Sequence, residues 1–303
     1  KRTPPSTRRR STEKYGDKSN AIEKSTNDFF NKAWSIPYEQ IDMRKSTVLG
    51  KGFFGEVRMA YWLRQPVACK ILYHKEFRKT NEMERFVREV DVLSKLRHPK
   101  VILFLGASID PTDKEMVIVT EFMAGGSLYD YMYRNQISLL PDQVMMLRLA
   151  TDISLGMNYL HGANCLHRDL NCKNILLDEN MSAKVADFGL SKFTTDDALS
   201  NSNTMGAVAW MAPEIIEEPS LFSPAADVYS FSIVLWEMLS GQSPNKVLDI
   251  SPIKFAQKVL VEDYRPPLPK SKTGCPLFWK DLIDICWQRD SKMRPTFGQI
   301  LDM

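Results

Sequence analysis

Apolar positions along this chain fall into two regimes behind a polar start. Residues 1–33 are rich in Ser, Thr, Lys, Arg and Asn, with few apolar side chains before Phe29 and Phe30. Too little surface can be buried there to offset chain entropy, so this stretch reads as a basic, disordered tail. From Trp34 to about Glu121 short β-rich runs dominate, and strands are expected at 47–49, 56–61, 66–72, 101–105 and 116–120. One helical stretch interrupts them at 84–96, where Phe86, Val90, Leu93 and Leu96 fall on one face. After Gly125-Gly126 the period changes, and helices are expected at 139–161, 225–239, 253–261 and 278–288. A β-rich module with one helix (34–122) followed by a larger helical module (123–303) implies an α+β architecture of two lobes.

Composition narrows the class without naming a function. With 44% hydrophobic and 25% charged residues among 303, the chain is ordinary for a globular protein. Of the net +3, residues 1–18 alone contribute +5, leaving −2 for the remainder. The basic balance thus belongs to the tail and argues against nucleic-acid binding by the folded part. Five cysteines, odd in number and lacking metal spacing, read as reduced thiols in a cytoplasmic setting. No apolar run is long enough to span a bilayer. A start without an apolar stretch or initiator Met suggests a soluble piece of a longer chain.

Chemistry begins at Gly50-Lys51-Gly52-Phe53-Phe54-Gly55-Glu56-Val57. Such a glycine pattern opens a helix in dinucleotide-binding turns, but β-favouring residues follow here. That context fits a hairpin closing over phosphates, or equally a glycine-rich hairpin with no ligand. Fifteen residues beyond Gly55 stands Lys70, either a surface lysine or the partner of Glu89 on the predicted helix. Downstream come His167-Arg168-Asp169-Leu170-Asn171-Cys172-Lys173-Asn174 and, thirteen residues after Asn174, Asp187-Phe188-Gly189. Asp169 can take a proton from an attacking hydroxyl, while Asn174 and Asp187 offer oxygen ligands to a hard cation.

These elements, in this order, resemble a eukaryotic protein kinase domain over about 34–303. Ala212-Pro213-Glu214, Asp227 and Arg294 match further landmarks of that family. The segments 96–99, 104–107, 120–128, 210–214 and 227–237 look like the tyrosine-kinase-like group, which includes Raf, mixed-lineage and plant Raf-like kinases. The resemblance implies a bilobal kinase fold, ATP and Mg2+ as cofactors, and a protein substrate. It implies phosphate contacts from Gly50, Gly52, Gly55 and Lys70, an adenine pocket of Val57, Ala68 and Leu176, a gatekeeper at Thr120, and a hinge at Glu121 and Met123. Leu93, Phe104, His167 and Phe188 match the family's stacked spine, Asp227 its anchor for the catalytic loop, and Arg294 the partner of Glu214. Raf-like members often dimerise through the small lobe, so a homodimer is a further expectation.

Three positions depart from the pattern. Ser/Thr kinases usually carry Lys where Asn171 stands, and a hydroxyl where Ala207 follows Gly206. Both departures remove the Lys–hydroxyl link beside the catalytic Asp, and Lys173 becomes the candidate to supply a cation to the γ-phosphate. Ser232 replaces the group's usual Gly, with local packing consequences only. Arg168 implies control by phosphorylation of the 28-residue stretch from Asp187 to Glu214, with Ser202 and Thr204 the favoured sites. No proline precedes Trp210-Met211-Ala212, which favours Ser/Thr over Tyr substrates. The chain therefore reads as an active kinase. Tyrosine or dual specificity, a weakly active or pseudokinase nucleotide-binding scaffold, and a tail-driven interaction fragment are the alternatives.

Overall fold

The computed structural model describes residues 29, 31–52, 55–72, 86–87, 90–110, 115–134, 137–188, 208–248, 250–269 and 275–303. Alternating apolar residues build an antiparallel sheet of β1 (Ile41–Gly52), β2 (Gly55–Trp62), β3 (Gln65–Leu72), β4 (Phe104–Ile109) and β5 (Met116–Glu121), ordered β1-β2-β3-β5-β4. Val67, Cys69 and Ile71 of β3 pack with Ile36, Ile41, Ala60, Val117 and Val119 on one face. The period of two turns Ala68 and Lys70 to the opposite face. These strands belong to a first compact unit of residues up to 95 with 104–122; the second holds 96–103 and 123–303.

Two expectations change here. The packed structure starts earlier than residue 34, because Phe29 is fully buried, stacks on Phe86 at 6.2 Å and meets Trp34 edge-on at 5.0 Å. Trp34 Nε1 and Lys32 Nζ each donate to one carboxylate oxygen of Asp91, at 2.7 and 2.8 Å. The strand expected at 101–105 begins only at Phe104. Residues 98–102 turn instead: Val101 N donates to His98 O, and Ile102 N to Val185 O. Lys100 is tied to Asp152 at 2.7 Å. Residues 86–87 and 90–93 are helical, and Phe86, Val90, Leu93 and Leu96 are all buried, as the spacing predicts.

The second unit is mainly helical, with α1 (Leu128–Arg134), α2 (Gln143–Gly162), α3 (Pro213–Glu217), α4 (Pro224–Ser240), α5 (Pro244–Val247), α6 (Pro252–Val261), α7 (Leu277–Cys286) and α8 (Phe297–Leu301). A small sheet, β6 (Gly126–Ser127), β7 (Ile175–Leu177) and β8 (Ala183–Val185), accompanies them. The helix expected from 139 starts at Gln143, because Asp142 caps it by accepting from Met145 N at 2.9 Å. α4 is apolar almost all round, and every residue from Ala226 to Leu239 is buried. A helix of that composition is stable only inside a core. It ends at Gly241, whose left-handed φ of 66° glycine adopts without steric cost. Ser232 fits within α4 by donating to Tyr229 O at 2.6 Å. Among the described residues, no helix is long and apolar enough to cross a membrane.

Candidate active site

In the first unit, the glycine motif is a hairpin. Gly50 pairs with Val57 and Gly52 with Gly55 across β1 and β2, so no helix follows the glycines and the dinucleotide-turn reading falls. Gly55 is required by space: a Cβ there would overlap the carbonyl oxygen of Ile71. Gly50 has open space around it. Cross-strand partners share a face in an antiparallel ladder. Val57 faces Lys70, Ala68 faces Thr120, and Lys70 also faces Ile118. The register thus gathers Val57, Ala68, Lys70 and Thr120 on the face opposite the Val67–Cys69–Ile71 core. Glu121 is paired with Val67 and falls on the core-facing side of the alternation.

In the second unit, the loop 167–174 is organised by one buried carboxylate. Asp227, in the first turn of α4 and 1% exposed, accepts from His167 N at 2.9 Å, Arg168 N at 2.8 Å and His161 Nε2 at 2.8 Å. Those bonds hold Arg168 at φ 67°, a left-handed conformation that costs a non-glycine residue about 1–3 kcal/mol. His167 Nδ1 accepts from Asp169 N at 3.3 Å, so its proton sits on Nε2 and is donated to Ala186 O at 3.0 Å. Phe188 meets His167 edge-on at 6.5 Å. Ala186 N donates to Asn174 O at 2.8 Å, which brings the 167–174 loop against the residue before Asp187. Asp187 also has positive φ, at 60°.

Both oxygens of Asp169 are held. Asn171 Nδ2 donates to Oδ1 and Asn174 Nδ2 to Oδ2, each at 2.9 Å. The Asp169 carboxyl is raised above its ordinary range, chiefly by the desolvating bulk around it, although the residue keeps an exposed edge. The Asp187 carboxylate pushes the same way, while His167 and the two amides oppose it. Asn174 spends its amide nitrogen on Asp169, which leaves its oxygen, with Asp187, as hard donors suited to magnesium. Among the described residues no group of three or more His, Cys, Asp or Glu is placed to hold a metal. A two-residue oxygen site of this kind binds Mg2+ together with nucleotide phosphates, so the donor set fits.

Other expected positions resolve differently. The Lys173 ammonium lies 5.1 Å over the Tyr129 ring, a cation–π contact. Leu176 pairs with Ser127 across β6 and β7, and Met123 is buried. Arg294 grips Glu214 with two bonds of 2.7 and 2.8 Å, as the resemblance implies. Glu89, Ser202, Thr204 and Ala207 lie outside the described residues.

One cluster escaped sequence reasoning. Glu237, fully buried in α4, accepts from Tyr133 Oη at 2.7 Å, Trp210 Nε1 at 2.7 Å and Cys172 Sγ at 3.2 Å. Burial pushes its carboxyl up to about 7. Through Cys172 the cluster ties the 167–174 loop to Trp210, whose carbonyl also accepts from Ser230 at 2.8 Å. Beside them lies a small recess lined by Arg168, Asp169, Trp210, Met211 and Phe222. The only signal in the sequence was an acid within the apolar run 231–239.

Comparison with known proteins agrees with this arrangement. The family model "protein tyrosine and serine/threonine kinase" matches residues 43–303. The dual specificity protein kinase splA of Dictyostelium discoideum is 38% identical over 88% of this chain, which covers 11% of that protein. A seven-transmembrane tyrosine-protein kinase of the same organism is 41% identical over 84% of the chain and is covered to 37%. The serine/threonine-protein kinase STY17 of Arabidopsis thaliana is 39% identical over 93% of the chain and is covered to 49%. This chain belongs to the protein kinase family, and within it to the tyrosine-kinase-like type. It spans half or less of the length of these relatives.

Proposed function

We propose that this chain is a catalytically active, magnesium-ATP-dependent kinase that phosphorylates Ser and Thr side chains of proteins. One observation carries the reading: a loop tied down by Asp227 presents Asp169, with both oxygens hydrogen-bonded, beside Asn174 and Asp187. Asn174 and Asp187 would hold Mg2+, which neutralises charge on the transferring phosphoryl group. Lys70 would hold the α- and β-phosphates, with Glu89 as its partner. The hairpin backbone at Gly50, Gly52 and Gly55 would cover the phosphates, the side chains of Val57, Ala68, Thr120 and Leu176 would receive the adenine, and Glu121 and Met123 would meet it through their backbone.

In transfer, Asp169 orients the substrate hydroxyl and accepts its proton as the oxygen bonds to the γ-phosphorus. The bond from the γ-phosphorus to the β-bridging oxygen breaks, and ADP leaves. The relatives' names support a second reading, dual specificity, because they divide among dual-specificity, tyrosine and serine/threonine kinases.

Residue-resolved mass spectrometry before and after incubation with Mg-ATP tests both readings. Phosphate should appear on Ser202 or Thr204, and Asp169→Asn should lower its rate of appearance by about 10²- to 10⁴-fold. Phosphotyrosine beside phosphoserine would shift the assignment to dual specificity. No gain in the unsubstituted chain would overturn the enzymatic reading.

A further inference from the structure

We propose that Asn171 is a positioning residue that aims the Asp169 carboxylate, its neutral amide standing where kinases of Ser/Thr type carry a lysine. The inference rests on the kinase reading above. The Asn171 side chain bridges its own loop: Nδ2 donates to Asp169 Oδ1 at 2.9 Å and to Asp169 O at 3.1 Å, while Oδ1 accepts from Lys173 N at 2.9 Å. That pattern dictates the orientation of the amide. Turned over, it would set oxygen against two acceptors and an NH2 against an N–H.

Asn174 holds the other carboxylate oxygen at 2.9 Å, so Asp169 is gripped from both sides and its rotamer is defined. Asn174 is also the proposed metal ligand; Asn171 is free of that second duty. The Lys173 ammonium sits over Tyr129, and its backbone N–H, not its side chain, bonds to Asn171. What the sequence presents as a lost contact is thus replaced in its orienting half, though not in its charge. Misaiming a general base lowers turnover without weakening nucleotide binding.

Three substitutions separate the donor from the turn that the side chain also makes. Asn171→Asp keeps the acceptor for Lys173 N but loses the donor. Asn171→Lys restores a donor toward Asp169 and loses the acceptor. Asn171→Ala loses both. Steady-state kinetics on a peptide taken from a Ser/Thr/Tyr library should show kcat down about tenfold or more in the Ala and Asp variants. The Lys variant should stay within about threefold of the parent, and KM for Mg-ATP within about twofold throughout. An Asp variant at parental kcat, an Ala variant at parental kcat, or losses that track the melting temperature would each overturn the proposal.

A second measurement does not depend on turnover. In the ¹⁵N–¹H spectrum, the Asn171 side-chain NH2 pair, assigned by its loss in Asn171→Lys, should move in Asp169→Ala. An unmoved pair would show that the grip is absent. A parent chain that transfers no phosphate but shows this shift would overturn the kinase reading and leave the Asn171–Asp169 contact standing.

Discussion

At the scale of single residues, a strongly perturbed carboxyl lies at Glu237, which is not one of the reacting groups. Its folded-state proton affinity, raised to about 7 from an ordinary 4.5, is set first by burial and only partly offset by three donors. A raised value means stability is fully present below the unfolded value and is lost as pH climbs toward the folded one. From pH 4.5 to 7 the carboxyl ionises in the unfolded chain but stays protonated in the fold, which should remove about 3 kcal/mol of stability. Glu237→Gln can keep the cluster, with its oxygen toward Trp210 and Cys172 and its NH2 toward the Tyr133 hydroxyl oxygen. Relative to the parent, the Gln variant should thus gain several degrees of melting temperature from pH 5 to pH 8. Parallel melting curves across that range would contradict this account of Glu237.

At the scale of elements, the segment before the family match behaves as part of the fold. The family model starts at residue 43, yet Phe29, Lys32 and Trp34 pack on the helical residues 86–87 and 90–93 through Phe86 and Asp91. Each oxygen of Asp91 receives one donor, and these bonds hold its carboxyl below the usual range against the opposing effect of burial. Trp34→Phe keeps an aromatic ring but removes the indole donor, which should cost about 1 kcal/mol. Asp91→Ala leaves both donors unpaired and should cost more, about 2 kcal/mol, lowering the melting temperature by about 4–8 °C. Thermal denaturation of the two variants checks the order; equal losses, or none, would reduce the segment to a passive neighbour. α4 works similarly in the second unit, since one turn of it supplies Asp227 to the loop and its far end supplies Glu237.

At the scale of the whole molecule, ligand linkage is the decisive observable. A ligand bound only by the folded chain stabilises it in proportion to the logarithm of its concentration, about 2.7 kcal/mol at a hundred times its Kd. Saturating Mg-ATP should raise the melting temperature by about 5–10 °C, with the gain shrinking when magnesium is chelated. Asp187→Ala should abolish that magnesium dependence without removing stabilisation by adenosine. Equal stabilisation with and without magnesium in the parent chain would argue against the Asn174–Asp187 site.

Much of this was determined by sequence alone, because the chemistry is local. Asp169, Asn171, Lys173 and Asn174 share eight consecutive residues with His167, and Asp187 follows thirteen later, so their spacing identifies the family before any fold is known. The β-favouring residues after Gly55 likewise predicted the hairpin around Gly52 and Gly55, whereas the shared face of Val57 and Lys70 comes from the strand register. Helix starts were legible within one residue where Pro224 and Pro252 mark them, but the start capped by Asp142 was placed four residues early. The expectation at 101–105 failed where bonds from residues far along the chain win over β propensity: Lys100 to Asp152 and Ile102 to Val185. Tertiary structure alone decided what occupies each polar group. Asn171 became a donor to Asp169, Lys173 a partner of Tyr129, and Glu237 the acceptor of three side chains as far as 104 residues away. The reason is physical: buried polar groups take whichever partners the packed core brings within reach, and that choice is made only when distant segments meet.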